Sequence, residues 1–231
     1  MKKIGVIIPA GGAGTRMGSG SLKNSTTPPT LKQFAPLGGV PMLARVIEGF
    51  RRVAAGADIV VALPADRFDE WARLCMEHDV PPHKVCEGGA TRFLSVQGAL
   101  ADLDADCEYI AVHDAARPLV STELILRTFE TARRHGSAIP VVALTDSVRR
   151  LNGDSSYPED RAVLRGVQTP QVFRADILRA AYEKAAGDGF TDDATVVESV
   201  GYTVMLCEGE RRNIKVTEPD DLIFARSLFE R

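Results

Sequence analysis

The chain has 231 residues, of which 45% are hydrophobic and 26% are charged, and its formal net charge is −3. This length and composition predict one globular domain over residues 1–231 with a sizeable core. The small negative charge excludes a broad basic surface, so we expect no nucleic acid partner.

Short, continuous apolar runs predict buried strands. They lie at residues 4–8, 59–63, 109–112 and 138–144. Continuous rather than alternating hydrophobicity is typical of parallel strands that are covered on both faces. Pro140 lies inside the last run and predicts an edge or a bulge there, because proline cannot donate to a strand ladder.

A glycine-rich loop, PAGGAGTRMG at residues 9–18, directly follows the first strand. Its closely spaced glycines let the backbone approach a ligand and turn N–H groups toward an anion. Arg16 and Lys32 can add positive charge beside those amides, a combination that suits a triphosphate. The loop lacks the Gly-Lys-Ser/Thr ending of a P-loop, and its spacing differs from the dinucleotide pattern G-x-G-x-x-G.

Amphipathic stripes between the strands predict four helices. The stripes are Leu43, Val46, Ile47 and Phe50; Phe68, Trp71, Ala72 and Cys75; Ile125, Phe129 and Ala132; and Leu222, Ala225 and Phe229. Pro41 and Gly56 bound the first stripe, Ser121 and Gly136 bound the third, and Thr217 precedes the fourth as a cap. The strand–helix alternation predicts an α/β, Rossmann-like doubly wound and mostly parallel sheet, which binds ligands beyond the carboxyl ends of its strands.

Residues 145–165 break this alternation. Segments 146–151 and 161–164 predict two short strands, and the polar residues 152–160 between them predict a turn. We therefore predict a protruding β-hairpin arm, for which a disordered surface loop is the alternative. Since such an arm has little core of its own, we expect a second copy to bury it in a homodimer.

The cysteines and histidines show no pattern of a disulfide framework or a metal site. The four cysteines include no C-x-x-C pair, and the four histidines lack metal-ligand spacing. No apolar run approaches the ~18 residues of a membrane span, and the start lacks the apolar region of a signal peptide. We therefore expect a cytoplasmic protein with reduced thiols and no membrane partner.

Five stretches, in chain order, resemble a known family. They are the glycine loop with Lys32-Gln33-Phe34, then VHDAARP at 112–118, QTPQVF at 168–173, TDDA at 191–194 and NIKVT at 213–217. The first is similar to the signature of sugar-nucleotide pyrophosphorylases. The others narrow the resemblance to the 2-C-methyl-D-erythritol 4-phosphate cytidylyltransferases of non-mevalonate isoprenoid biosynthesis. The resemblance implies a nucleotidyltransferase fold of the GT-A-like type and a homodimer formed through the arm.

The resemblance implies transfer of CMP from CTP to 2-C-methyl-D-erythritol 4-phosphate, giving 4-diphosphocytidyl-2-C-methyl-D-erythritol and pyrophosphate. The chemistry agrees with the residue types. A phosphate monoester, whose second pKa is about 6, is mostly dianionic near pH 7 and needs no general base to attack. Cations and amide donors should therefore carry catalysis, with Mg²⁺ bound mainly through the CTP phosphates.

The resemblance also implies the site residues. Arg16 and Lys32 match the catalytic pair that stabilises the transition state, and Arg161 and Lys215 match the pair that positions the acceptor phosphate. The implied CTP-binding residues are Pro9, Ala10, Gly11, Gly12, Gly14, Thr15, Gly88, Arg92, Ser95 and Ala115. The implied acceptor-binding residues are Asp114, Arg117, Ser147, Thr169 and Thr191. The family has a shorter connection than the fifteen residues that separate Arg16 from Lys32 here.

Several residues have a plain structural interpretation. Asp192 and Asp193 are interpreted as the start of a helix, where carboxylates favour the dipole. His113 is interpreted as a core or hydrogen-bonded residue. Arg161 could be a solvated arm charge instead of a site residue. Lys215 lies between two β-branched residues, which predicts a strand with the lysine directed into a cleft.

Three other functions compete with this interpretation. A ribitol 5-phosphate cytidylyltransferase shares the glycine loop and the QTPQ run. A non-catalytic nucleotide-binding regulator would keep the loop but lose Arg16, Lys32 or Lys215, and all three are present. An NAD-dependent oxidoreductase is disfavoured by the glycine spacing.

Overall fold

The computed structural model describes residues 3–11 and 31–229, and a mixed eight-stranded sheet forms its centre. The strands of the described chain are β1 (Ile4–Pro9), β2 (Pro36–Leu37), β3 (Val40–Pro41), β4 (Asp58–Leu63), β5 (Lys84–Glu87), β6 (Tyr109–Val112), β7 (Ser137–Ala143), β8 (Val148–Asn152), β9 (Ser155–Glu159), β10 (Arg165–Val167), β11 (Gln171–Arg174) and β12 (Leu206–Glu208). The helices are α1 (Met42–Val53), α2 (Phe68–Glu77), α3 (Arg92–Asp102), α4 (Thr122–His135), α5 (Ala175–Lys184), α6 (Asp193–Ser199) and α7 (Pro219–Phe229).

The sheet is mostly parallel, as predicted. Its order is β10-β7-β11-β6-β1-β4-β5, and β12 pairs with β7. Strands β5, β4, β1 and β6 are parallel to one another, whereas β10 and β11 run against their neighbours. The carboxyl ends of the four parallel strands therefore meet along one edge.

Successive side chains of β1 enter two different cores. Val6 and Ile8 pack in a cluster with α1 and α4, while Ile7 packs in a second cluster with α3 and α5. All three side chains are fully buried. The continuous hydrophobicity of this strand thus results from helices on both faces of the sheet.

The predicted helices are confirmed, together with the caps of the third. Leu124 N donates to Ser121 Oγ at 2.9 Å at the start of α4, and Gly136 ends it with φ +89°. The cap predicted at Thr217 is wrong: α7 begins at Pro219, and Thr217 N and Oγ1 both donate to Asp221 Oδ2 at 2.7 Å, whereas a capping hydroxyl accepts from the helix. None of the helices within residues 3–11 and 31–229 combines the length and the hydrophobicity that a membrane span requires.

The arm is a hairpin, but its second strand was predicted in the wrong place. Strand β9 pairs antiparallel with β8, and Asn152 faces Ser155 across a two-residue turn in which Gly153 has φ +57°. This tight register starts the return strand at once. Residues Arg161–Val163, predicted as a strand, form a 3₁₀ turn capped by Asp160.

Pro140 does not lie on an edge strand, because β7 has partners on both sides. The irregularity is in the neighbouring chain, where residues 168–170 separate β10 from β11. Gln168 N donates to Pro140 O at 2.8 Å across this interruption. The missing proline N–H thus faces a break in the partner ladder, which is the bulge-like alternative of the prediction.

Candidate active site

The loops that follow the parallel strands converge at the carboxyl edge of the sheet. Ala10 N donates to Ala62 O and Gly88 N donates to Leu63 O, both at 2.8 Å. The loops after β1 and β5 therefore begin on either side of the carboxyl end of β4. His113 N donates to Ile7 O at 2.9 Å and places the loop after β6 on the other side of β1. The edge therefore brings together Pro9, Ala10, Gly11, Gly88 and Ala115.

The loop before α3 needs glycine for close packing. A Cβ added to Gly89 would lie 2.4 Å from Leu94 Cβ. Thr91 caps the helix by accepting from Leu94 N at 3.2 Å, and the buried Ser95 Oγ donates to Thr91 O at 2.9 Å. This packing sets Arg92, the first residue of α3, at the cleft.

A chain of alternating charges crosses the site. Lys215 Nζ lies 2.8 Å from Asp114 Oδ2, and Arg92 Nη2 lies 3.4 Å from Asp114 Oδ1. Arg92 Nη2 also contacts Asp193 Oδ2 at 2.7 Å, and Tyr182 Oη donates to Asp193 Oδ1 at 2.7 Å. We call Tyr182, Asp193, Arg92, Asp114 and Lys215 the charge chain.

The charge chain keeps Asp114 ionised. Burial by itself raises the pKa of this carboxyl, but the positive charges of Arg92 and Lys215 outweigh burial and hold the pKa well below its usual range. Burial likewise disfavours the charge on the Arg92 guanidinium, but the carboxylates of Asp193 and Asp114 outweigh it and raise the pKa of Arg92. Arg92 and Lys215 therefore share one fixed anion at the mouth of the cleft.

Buried amides hold the loop that carries Lys215. Gln168 Nε2 donates to Glu210 O at 2.8 Å, and Asn213 Nδ2 donates to Thr169 O at 2.8 Å. Arg117 Nη1 donates to Asn213 O at 2.7 Å. We call the amides of Gln168 and Asn213, together with the guanidinium of Arg117, the amide clasp. It holds the loop in place although the loop is not part of a strand.

The strand predicted around Lys215 is therefore wrong, although the lysine does face the cleft. Residues 213–217 form no strand in the described chain. Val216 is fully buried and its N donates to Ala116 O at 2.8 Å. The apolar residues on both sides of the lysine therefore do not indicate a strand. They are present because Val216 anchors an irregular segment to the core.

His113 lies beneath the site as a neutral core residue, as predicted. Burial lowers its pKa to about 4. Its Nε2 lies 3.1 Å from Arg117 O, which can only accept, so Nδ1 accepts from Thr169 Oγ1 at 3.1 Å. Thr169 Oγ1 in turn accepts from Asp114 N at 3.1 Å, so these bonds orient the backbone of the charge chain.

The remaining predicted site residues are exposed, lie in a short 3₁₀ turn or fall outside the described chain. Ser147, Arg161 and Thr191 are exposed, and Arg161 donates to the carbonyl of Thr145 at the root of the arm. Lys32 lies in a 3₁₀ turn. Burial raises the pKa of Asp221, but hydrogen bonds from Thr217 and Glu218, together with the charge of Lys32, outweigh burial and lower it. Gly12, Gly14, Thr15 and Arg16 lie outside the described residues.

Sequence reasoning gave Asp193 too small a role and missed Tyr182. Asp192 is the N-cap of α6 and Asp193 is its first residue, as predicted. Asp193, however, is also fully buried against Arg92, which is 101 positions away. The TDDA motif was the signal that could have pointed to Asp193. Because the start of a helix already explained its carboxylates, the ion pair with Arg92 was not predicted.

A mostly parallel sheet with flanking helices and phosphate-compatible cations at its carboxyl edge defines an α/β nucleotidyltransferase-like protein. Comparison with known families is more specific. The family model for "IspD: 2-C-methyl-D-erythritol 4-phosphate cytidylyltransferase" matches residues 4–231, and the chain belongs to this family.

Individual relatives agree over almost the whole chain. The 2-C-methyl-D-erythritol 4-phosphate cytidylyltransferase of Bacteroides thetaiotaomicron is 43% identical over 227 residues, covering 98% of this chain and 99% of its own. Among solved structures, the enzyme of the same name from Thermus thermophilus is 33% identical with a TM-score of 0.77, covering 99% and 100%. The 4-diphosphocytidyl-2C-methyl-D-erythritol synthase of Anaerococcus prevotii has a TM-score of 0.82 at 28% identity, covering 100% and 99%.

Proposed function

We propose that this chain transfers CMP from CTP to 2-C-methyl-D-erythritol 4-phosphate and releases pyrophosphate. The observation that carries the proposal is the Lys215–Asp114 contact of 2.8 Å at the carboxyl edge, in a chain of this family. A phosphate oxygen of the acceptor bonds to the α-phosphorus of CTP while the bond from that phosphorus to the bridging oxygen breaks. Both substrates are anionic, so fixed cations stabilise the transition state.

The proposed roles divide the cleft between the substrates. The described backbone of Pro9, Ala10 and Gly11 begins the triphosphate cradle, and Gly88 with Ser95 receives the nucleoside. Lys215 contacts the acceptor phosphate, and Asp114 orients Lys215 and the acceptor. Arg16 and Lys32 complete the catalytic set as proposed from the sequence.

Magnesium fits this site as an ion carried by the triphosphate. Among the described residues, no group of three or more His, Cys, Asp or Glu side chains could hold a metal ion. Asp114 is an ionised carboxylate at the cleft, and one carboxylate with substrate phosphates is a common magnesium environment. The ion would neutralise phosphate charge, and Asp114 is the residue placed to approach it.

The proposed assembly is a homodimer built through the arm. Leu151 is 80% exposed on β8, and Val163 is 77% exposed in the 3₁₀ turn Arg161–Val163 that follows the hairpin. Apolar side chains this exposed on a hairpin and the turn after it are typical of a surface that a partner covers. We propose that Arg161 reaches the acceptor site of the partner copy.

The cytoplasmic location of the protein remains a prediction from the sequence.

The acceptor is tested by pyrophosphate release. With saturating CTP and Mg²⁺, we expect 2-C-methyl-D-erythritol 4-phosphate to have a kcat/KM at least about 100-fold above that of ribitol 5-phosphate, since mismatched polar groups in a fitted site cost several kcal/mol. A higher value for ribitol 5-phosphate would reverse the substrate assignment. CTP binding without turnover on either acceptor would instead indicate a regulator.

A further inference from the structure

The buried carboxylate Asp193 takes no part in the roles proposed above. It lies at the start of α6, and both of its oxygens have partners, namely Tyr182 Oη and Arg92 Nη2, at 2.7 Å each. Its side chain has no exposed surface, whereas the Arg92 side chain is 24% exposed. Capping does not require this contact, because the neighbouring Asp192 caps the helix.

The distances from Arg92 to its two carboxylate partners show which of them it binds more closely. Arg92 Nη2 lies 2.7 Å from Asp193 but 3.4 Å from Asp114. The shorter contact is therefore with the buried residue. The other oxygen of Asp114, Oδ2, lies 2.8 Å from Lys215 Nζ and 3.9 Å from Arg117 Nε.

Tyr182 fixes Asp193 from behind. Burial, followed by the charge of Asp193, raises the pKa of the phenol, so it stays protonated and donates. Its ring stacks on Phe93 with centroids 4.7 Å apart, and Phe93 follows Arg92 in α3. The same helix turn thus supplies Arg92 and the surface that holds Tyr182.

We propose that Asp193, held by Tyr182, is a positioning residue that restrains Arg92, so that Arg92 neither captures Asp114 from Lys215 nor adds its full charge to the phosphates. The inference rests on the proposed function only for its turnover readout. Without Asp193, Arg92, Arg117 and Lys215 would share the single carboxylate of Asp114.

The test is Asp193→Asn, which keeps the shape and removes the charge. We expect pyrophosphate, measured alone by calorimetry, to bind about 5-fold more tightly. The reason is that Arg92 would no longer be neutralised by Asp193, so its positive charge would attract the pyrophosphate anion. We expect kcat with CTP and the acceptor to fall about 30-fold, because Lys215 loses its fixed partner. A residue that only stabilises the fold would weaken pyrophosphate binding and turnover together.

A double-mutant cycle with Arg92→Gln separates direct from transmitted effects. If Asp193 acts through Arg92, Asp193→Asn should change pyrophosphate affinity less than about 2-fold in the Arg92→Gln background. Multiplicative effects of the two changes would overturn the proposal, as would weaker pyrophosphate binding by Asp193→Asn. Because the cycle uses pyrophosphate binding alone, it holds whichever acceptor the enzyme takes.

Two further variants guard against misfolding. Tyr182→Phe removes only the donor to Asp193 and keeps the ring stack, and should shift pyrophosphate affinity and kcat in the same directions by about 3-fold. If Asp193→Asn does not fold, this variant carries the test, and an unchanged pyrophosphate affinity would overturn the proposal. Asp192→Asn is the matched control: asparagine also caps helices, so both quantities should stay unchanged.

Discussion

The loop that carries Lys215 and the hairpin arm both leave the sheet, yet they are held in opposite ways. The loop is fastened within the subunit by the amide clasp, and its anchor Val216 is fully buried. The arm is fastened mainly to itself: Arg149 Nε donates to Ser156 Oγ at 2.7 Å and Arg150 pairs with Glu159 at 2.6 Å. The subunit thus fixes one group of cations, whereas the placement of the arm depends on what covers it.

The largest effect should come from Lys215→Met. Because this cation is fixed by Asp114 and the loop is clasped independently, we expect kcat to fall about 10³-fold, as when a preorganised charge partner is lost. Thermal stability should change little, since the lysine side chain is about half exposed. Lys184→Met, at the exposed end of α5, is the control for loss of a lysine. Near-normal turnover by Lys215→Met would remove this residue from the mechanism.

The next effect concerns His113 and stability against pH. The unfolded histidine binds a proton below about pH 6.5, but the buried one does so only near its pKa of about 4. Its stabilisation is therefore complete above pH 6.5 and is lost as the pH falls toward 4, by about 3 kcal/mol. Urea unfolding between pH 7 and 4 measures this slope. His113→Gln should be less stable throughout but flatter over that interval, and an equal slope would contradict the assignment.

Arg161→Ala probes the arm side of the comparison. We expect kcat/KM for the acceptor to fall about 30-fold, equivalent to about 2 kcal/mol, as for loss of a charge-assisted hydrogen bond. CTP affinity should stay within about 2-fold, because the arm contributes only to the acceptor end in this proposal. Steady-state kinetics with each substrate varied separates the two. Arg149→Ala, whose partner is inside the hairpin, is the control, and equal losses for CTP and acceptor would argue against the arm assignment.

The smallest effect on the subunit itself should come from Leu151→Ser. An 80% exposed side chain contributes little to the fold, so we expect the free energy of subunit unfolding to change by less than about 0.5 kcal/mol. Self-association, followed by sedimentation velocity over a dilution series, should nevertheless weaken. Unchanged association would mean that this face of the arm is not the dimer surface.

The fold was largely predictable because its signals are local or repetitive. Ser121 and Gly136 mark the ends of α4 through their own hydrogen bonding and φ, and the runs at β1, β4 and β6 are apolar throughout. The return strand of the arm was misplaced because Ser155–Glu159 is polar and contains Pro158. Its position follows from the tight turn at Gly153, a geometric cause that hydrophobicity does not encode.

The site was predictable only where motifs carried it. Asp114 and Lys215 were named from motifs and do meet at 2.8 Å. The contact between Arg92 and Asp193 joins segments 101 positions apart and follows from how α3 and α6 pack. Nothing local distinguishes a carboxylate that starts a helix from one that also neutralises a distant guanidinium, so this pairing needed the three-dimensional arrangement.

The turn at Gly153 and Asp154 has a practical consequence. Because the hairpin closes with Asn152 facing Ser155, extra residues inserted between Gly153 and Asp154 would lengthen only the tip, and loop length raises the closure entropy slowly. A fluorophore attached there would stand at the tip of the arm, outside the β8–β9 pairing. It would make the arm a reporter whose signal changes when a second molecule docks.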